Sequence, residues 1–178
     1  MFNEQEDVIH QIVDCCCSMD WPKSKLTVQV CDDSTCEQTQ SFVADKVHEW
    51  KELGINIELC WRSKRQGFKA GALAEAMVNL PNEVEYIAVF DVDFAPHESF
   101  LKDTVPWLLH NPTIGFVQTR WEFANPETSL LTKVQQISLH FHVKVEQFAR
   151  CALDSFFNNN VSSNSCVSRA LAFNKHLI

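Results

Sequence analysis

The chain has 178 residues, 46% of them hydrophobic, enough to bury one sizeable core and most simply read as one domain or a piece of one. A formal net charge of -8 argues against a nucleic-acid polyanion as the main partner, and the scarcity of Gly, Pro and low-complexity sequence excludes a disordered class. No apolar run reaches bilayer length and no secretory signal opens the chain, so this piece reads as soluble. The eight cysteines include no Cys-x-x-Cys pair and three are contiguous, Cys15 to Cys17, which suits reduced thiols better than a disulfide framework or a zinc site.

Helical spacing of Val8, Ile9, Ile12 and Val13 predicts a first helix up to about Met19, ended by Trp21-Pro22. Leu26 to Val30 alternates as a strand and runs into Asp32-Asp33-Ser34-Thr35. A second helix is predicted from Glu37 to Leu53, with Gly54 as its terminator, and a second strand from Ile55 to Trp61. The basic loop Arg62-Ser-Lys-Arg-Gln-Gly67 leads into an alanine-rich helix from Lys69 to Met77. Tyr86 to Phe94 is apolar, β-branched and too short for a helix, so it reads as a fully buried strand with Asp91 and Asp93 at its carboxyl end. Strand alternation would then direct both carboxylates to one side. A helix from Glu98 to His110, a strand at Ile114 to Gln118 and a long helical pattern from Glu127 to Leu153 complete the order.

This alternation predicts a three-layer α/β domain around a mostly parallel sheet, with ligands at the carboxyl ends of the strands. Three such ends carry charge: Asp32 and Asp33, then Arg62, Lys64, Arg65 and Lys69, then Asp91 and Asp93. Carboxylates can hold a hard cation, Mg²⁺ or Mn²⁺, while basic groups and a helix N-terminus neutralise phosphate, and together they specify a nucleoside diphosphate. Taken singly, each cluster is equally explained by helix capping at Asp32 to Thr35 and by a solvated surface at the basic loop. His140 and His142 stand two apart on a helix, where side chains diverge, so they predict no shared metal site. Trp107 and Trp121 read as core aromatics in preference to sugar platforms.

Several ordered blocks, among them Met1-Phe-Asn-Glu4, Val28-Gln-Val-Cys-Asp-Asp-Ser-Thr35, Gly67-Phe-Lys-Ala-Gly-Ala-Leu73, Ile87-Ala-Val-Phe-Asp-Val-Asp-Phe94 and Val117-Gln-Thr-Arg-Trp121, carry a resemblance. The chain resembles the cellulose-synthase-like processive glycosyltransferases of the GT2 class, closest to the glucomannan 4-β-mannosyltransferase branch, over about Met1 to Phe157. The resemblance implies a GT-A fold, incomplete at both ends, over residues 1-157, with 158-178 a divergent and poorly ordered tail. It implies the donor-binding part of an inverting, metal-dependent enzyme that moves mannose or glucose from GDP-mannose or UDP-glucose onto a β-1,4-linked glycan. In the intact protein the catalytic domain would face the cytosol at a Golgi membrane, held by transmembrane helices absent from this chain.

By the same resemblance Asn3, Glu4, Asp32, Asp33, Lys69 and Asp91 would bind the nucleotide sugar, Asp32 is a candidate catalytic residue, and Asp91 with Asp93 would hold the metal. No Thr-Glu-Asp block, which supplies the family's general base, and no Gln-x-x-Arg-Trp acceptor motif occurs in the sequence. The isolated chain is therefore expected to be inactive as a polymerase, and the alternative is a remnant that binds nucleotide sugar without turnover. A haloacid-dehalogenase-like phosphatase also places Asp-x-Asp after an apolar strand, but Ala95 stands where Thr or Val is usual, which disfavours it.

Overall fold

The computed structural model describes residues 1–62, 64–120, 122–146, 149 and 166–169. They fall into two compact units, one formed by Met1–Val117 with the strand at Cys166–Arg169, the other within Gln118–Ser165.

In the first unit, α1 (Glu6–Cys17) precedes β1 (Val28–Asp32), α2 (Glu37–Glu52), β2 (Ile57–Trp61), α3 (Phe68–Val78), β3 (Tyr86–Val89) and α4 (Phe100–His110). β4 (Phe116–Gln118) and β5 (Cys166–Arg169) complete it. The first core follows directly from helical periodicity. Ile9, Ile12, Val13 and Cys17 of α1 meet Val43 and Val47 of α2 over Val30 and Ile57 of the first sheet. A second cluster gathers Phe100, Leu101, Val105 and Leu108 of α4 with Met19 and Val167, and Phe90 meets Phe100 edge-on at 4.8 Å between centroids. Full burial of one such aliphatic side chain contributes about 1.5–3 kcal/mol, so these two clusters hold the unit together.

The strands make two sheets. β1 and β2 are parallel, with Val28 opposite Ile57 and Asp32 opposite Trp61. The other sheet has the order β3-β5-β4, and β3 pairs with β5 antiparallel, Tyr86 opposite Arg169. Three expectations change here. The central strand stops at Val89, and all of its residues are only partly buried. Asp91 to Phe94 is a turn closed by the Phe94 N–H on the Asp91 carbonyl, so a turn, not strand alternation, directs the two carboxylates. Part of the stretch expected to be poorly ordered is β5, which lies inside the sheet because Val167 is fully buried against α4. The remainder of that tail lies outside the described residues.

α4 buries Phe100, Leu101, Thr104, Val105 and Leu108 on one face, which turns Trp107 outward and leaves it 64% exposed, against its reading as a core aromatic. Trp121 lies outside the described residues. Cys15, Cys16, Cys17, Cys31, Cys36 and Cys60 are free thiols, and burial pushes those of Cys16 and Cys17 up to about 12.

The second unit contains α5 (Leu130–Phe141), which continues into a π-helical turn at His142–Glu146. Ser129 and Thr132 form a reciprocal capping box that sets its start three residues later than the pattern predicts. Leu130, Leu131, Val134, Ile137, Phe141 and Val145 are exposed; Leu153, the predicted end of the helix, lies outside the described residues. No described helix is long and apolar enough to cross a membrane.

Candidate functional site

The carboxyl end of β1 sorts its two acids by alternation. Asp32 points inward, is 1% exposed, and its Oδ1 accepts from the Ser34 N–H at 3.1 Å and the Ser34 hydroxyl at 2.6 Å. Asp33 faces the other way and takes a two-pronged contact from Arg62, with Nε donating at 2.7 Å and Nη2 closer still. That hydrogen bond and the guanidinium charge hold the Asp33 carboxyl below the usual carboxylate range, against the opposing effect of burial.

Arg62 also donates to the Gln66 and Phe68 carbonyls, at 3.0 Å each, so it staples the loop that launches α3. This differs from its expected place among the phosphate-facing cations: five donors in a planar fork suit a buried carboxylate and two carbonyls at once. The loop closes tightly on α3. A Cβ at Gly71 would stand 2.0 Å from the Gln66 carbonyl oxygen and 2.8 Å from Arg62 Nη1. Gly71→Ala is therefore expected to cost about 2–3 kcal/mol, seen as a lowered urea midpoint, and an unchanged midpoint would contradict this packing.

Asn3 is a clamp. Its backbone N–H donates to the Ser34 hydroxyl, its Oδ1 accepts from the Thr35 and Cys36 N–H groups, and its Nδ2 donates to the Thr35 hydroxyl. Asn3 and Phe68 are the two non-glycine residues with positive φ among those described, at 52° and 49°. Asn adopts this conformation readily, but for a phenylalanine it is strained, and such strain clusters at ligand clamps. Between them Arg65 lies over the Phe2 ring at 3.5 Å and near Phe68 at 5.4 Å, with its Nε 4.0 Å from the Asp33 carboxylate. Phe2 and Phe68 were not legible as site residues; an arginine in sequence next to a glycine-led helix start was the available hint.

Lys69, in the first turn of α3, pairs with Asp91 beyond β3. Their side chains are 45% and 20% exposed, and a pair this open to solvent is worth at most about 1 kcal/mol, weak enough to exchange partners. Glu4, Asp33, Arg65, Lys69 and Asp91 line one cleft together with Phe2. Asn3, Asp32 and Asp93 do not line it; Asp32 and Asn3 support its wall, and Asp93 is exposed nearby in sequence. Among the described residues no group of three or more His, Cys, Asp or Glu is arranged to hold a metal. Asp91 presents a carboxylate to the cleft, which fits Mg²⁺ or Mn²⁺ in so far as these ions take hard oxygen ligands and, in nucleotide sites, use one or two carboxylates plus substrate phosphates.

The family model described as Glycosyl transferase family 2 matches residues 1–165. The chain belongs to glycosyl transferase family 2. A protein of Oryza sativa subsp. japonica named "Probable glucomannan 4-beta-mannosyltransferase 7" is 45% identical over 98% of this chain and 30% of its own length. Glucomannan 4-beta-mannosyltransferase 2 of Arabidopsis thaliana is 40% identical over 90% of this chain and 30% of its own length. The chain thus spans about a third of the length of these relatives, and the similarity to the rice protein continues past Phe157. Mannosyltransferase PcManGT from Pyrobaculum calidifontis, solved in complex with GDP-Man and Mn2+, is 27% identical and superposes with a TM-score of 0.57 over 69% of this chain and 34% of that one. The family 2 chain described here therefore has the architecture of the GT-A glycosyltransferases.

Proposed function

We propose that this chain is the donor-binding part of a mannosyltransferase-type enzyme that is inverting, metal-dependent and processive. It would take GDP-mannose or UDP-glucose and serve a β-1,4-linked glycan acceptor. The observation that carries this reading is the convergence of Asp33, Arg65, Lys69 and Asp91 on one cleft at the carboxyl ends of β1 and β3. The relatives named as mannosyltransferases, and the solved relative that holds GDP-Man and Mn2+, support the choice of ligand class.

Lys69 would leave Asp91 for a diphosphate oxygen when the donor arrives, and the freed carboxylate, with Asp93, would hold a divalent cation. That cation, when bound, withdraws charge from the nucleoside-diphosphate leaving group. In a single displacement the acceptor oxygen bonds to the anomeric carbon as the bond to phosphate breaks, and a carboxylate base takes the hydroxyl proton. Asp32 is a positioning residue in this scheme, since Ser34 occupies its Oδ1. Localisation at a Golgi membrane belongs to the same proposal for the longer protein.

Titration calorimetry with GDP-mannose and UDP-glucose, each with and without Mn²⁺, tests the reading. One donor is expected to bind in a Mn²⁺-dependent manner. No heat from either, with the chain folded by circular dichroism, would overturn it.

A further inference from the structure

β1 and β2 lie side by side with Cys31 directly opposite Cys60. Strand alternation then decides which face each side chain takes. Val30 and Ile57 turn to the core under α1 and α2, so Cys31 and Cys60 turn to the other face, beneath α3. There α3 offers Ala72 and Ala76, whose short side chains leave a cavity of about 50 Å³ that both thiols line together with Arg62, Glu75 and Asn79. A space of that size holds a few water molecules at most, and both cysteines are only half-buried.

The two sulfurs are hydrogen-bonded to each other, with the Cys31 thiol donating to the Cys60 sulfur. Burial pushes the Cys31 thiol up to about 11, and Cys60 adds to that rise. Burial and then Glu58 raise Cys60 as well, but there the hydrogen bond from Cys31 works in the opposite direction. The contact thus favours negative charge on Cys60 and a proton on Cys31. Neighbouring strands stand about 4.7–4.9 Å apart, inside the range of roughly 4.4–6.8 Å between Cα atoms that a disulfide spans. Cys15, Cys16 and Cys17 are consecutive and diverge around α1, and Cys36 is exposed at the start of α2.

We propose that Cys31 and Cys60 form a dithiol modification site, which a low-molecular-weight disulfide closes to a bridge between β1 and β2. The Cys60 thiolate attacks one sulfur of that reagent, forming a mixed disulfide and releasing one reagent thiolate, which takes up a proton. Cys31 then gives up its proton and attacks the Cys60 sulfur, and the second reagent thiol leaves. Two protein thiols are oxidised to one disulfide while one reagent disulfide is reduced to two thiols, so electrons and protons balance. The bridge lies immediately before Asp32 and Trp61, where the strands give way to Asp33 and Arg62. Thiol redox state would in this way set the spacing of the two strand ends that carry that ion pair.

The test incubates the whole chain with oxidised glutathione, blocks the remaining thiols with N-ethylmaleimide in denaturant and maps them by tandem mass spectrometry. A bridge joining Cys31 to Cys60 is expected, reversed by dithiothreitol, with free Cys31 falling by about 10-fold or more because the second step is intramolecular. Cys31→Ser, folded by circular dichroism, is expected to stop at a glutathione adduct on Cys60, whereas Cys60→Ser should leave Cys31 largely free. Exposed Cys36 reports in every sample that the reagent is active. Cys31 and Cys60 both remaining free while Cys36 carries glutathione would overturn the proposal. A bridge from either of them to another cysteine, or one whose yield rises with protein concentration, would overturn it too.

Discussion

Replacing Arg62 with alanine is expected to lower the unfolding free energy by about 3 kcal/mol, because it strands a carboxylate that the fold has taken out of water. Asp33 and the Arg62 side chain are each only 7% exposed, and the guanidinium also satisfies the Gln66 and Phe68 carbonyls. Lysine at the same position is expected to recover little of the loss, since a single ammonium cannot reach a carboxylate and two carbonyls in the geometry of the fork. Urea unfolding monitored by circular dichroism measures both variants.

Acid reads the same contact from the other partner. The folded Asp33 carboxyl lies below its usual range because Arg62 hydrogen-bonds its charged form. The stability it contributes is fully present above its unfolded value, near pH 4, and is lost as pH falls through the lowered folded value. The native chain should therefore lose stability in that acid range more steeply than Arg62→Ala. Parallel acid limbs for the two proteins would show that the pair is not what holds the loop.

The second large effect is expected at Asp91. Asp91→Asn keeps the shape of the side chain and removes the charge that faces Lys69 and, by the proposal, the cation. Loss of an outer partner of a metal ligand typically costs 10–100-fold in affinity, so loss of a ligand's own charge should cost at least about 100-fold in Mn²⁺-dependent donor binding. Stability should barely move, because the pair it breaks is largely solvated. That combination, affinity lost and fold kept, separates a binding role from a structural one. Lys69→Met should behave alike toward the diphosphate, since the pair spans α3 and the end of β3 and neither partner lies in a core cluster.

How much of this was legible in the sequence varies with the physics of each element. α1, α2 and α4 were readable because each buries one face at helical spacing, as with Ile9, Ile12 and Val13. The end of β3 was not, because an unbroken apolar run from Tyr86 to Phe94 does not mark where a ladder loses its partner. β5 was invisible for the opposite reason. It is four residues long, too short for any periodic signal, although Val167 within it is fully buried.

At the site, the residue types were legible and their partners were not. Lys69 and Asp91 were named from separate blocks, and they meet. Arg62 looked like a cation waiting for phosphate, whereas a carboxylate 29 residues earlier already holds it. The different fates of Asp32 and Asp33 were in principle readable, since adjacent residues at a strand end face opposite ways.

The most direct test of the central claim is electron paramagnetic resonance of Mn²⁺ in the presence of GDP, with native chain and Asp91→Asn at equal concentration. The native chain is expected to diminish the free Mn²⁺ signal beyond what GDP alone does, and the variant is expected not to. Equal loss of signal with both proteins would mean that the cation and diphosphate are held elsewhere, and the assignment of this cleft would fail.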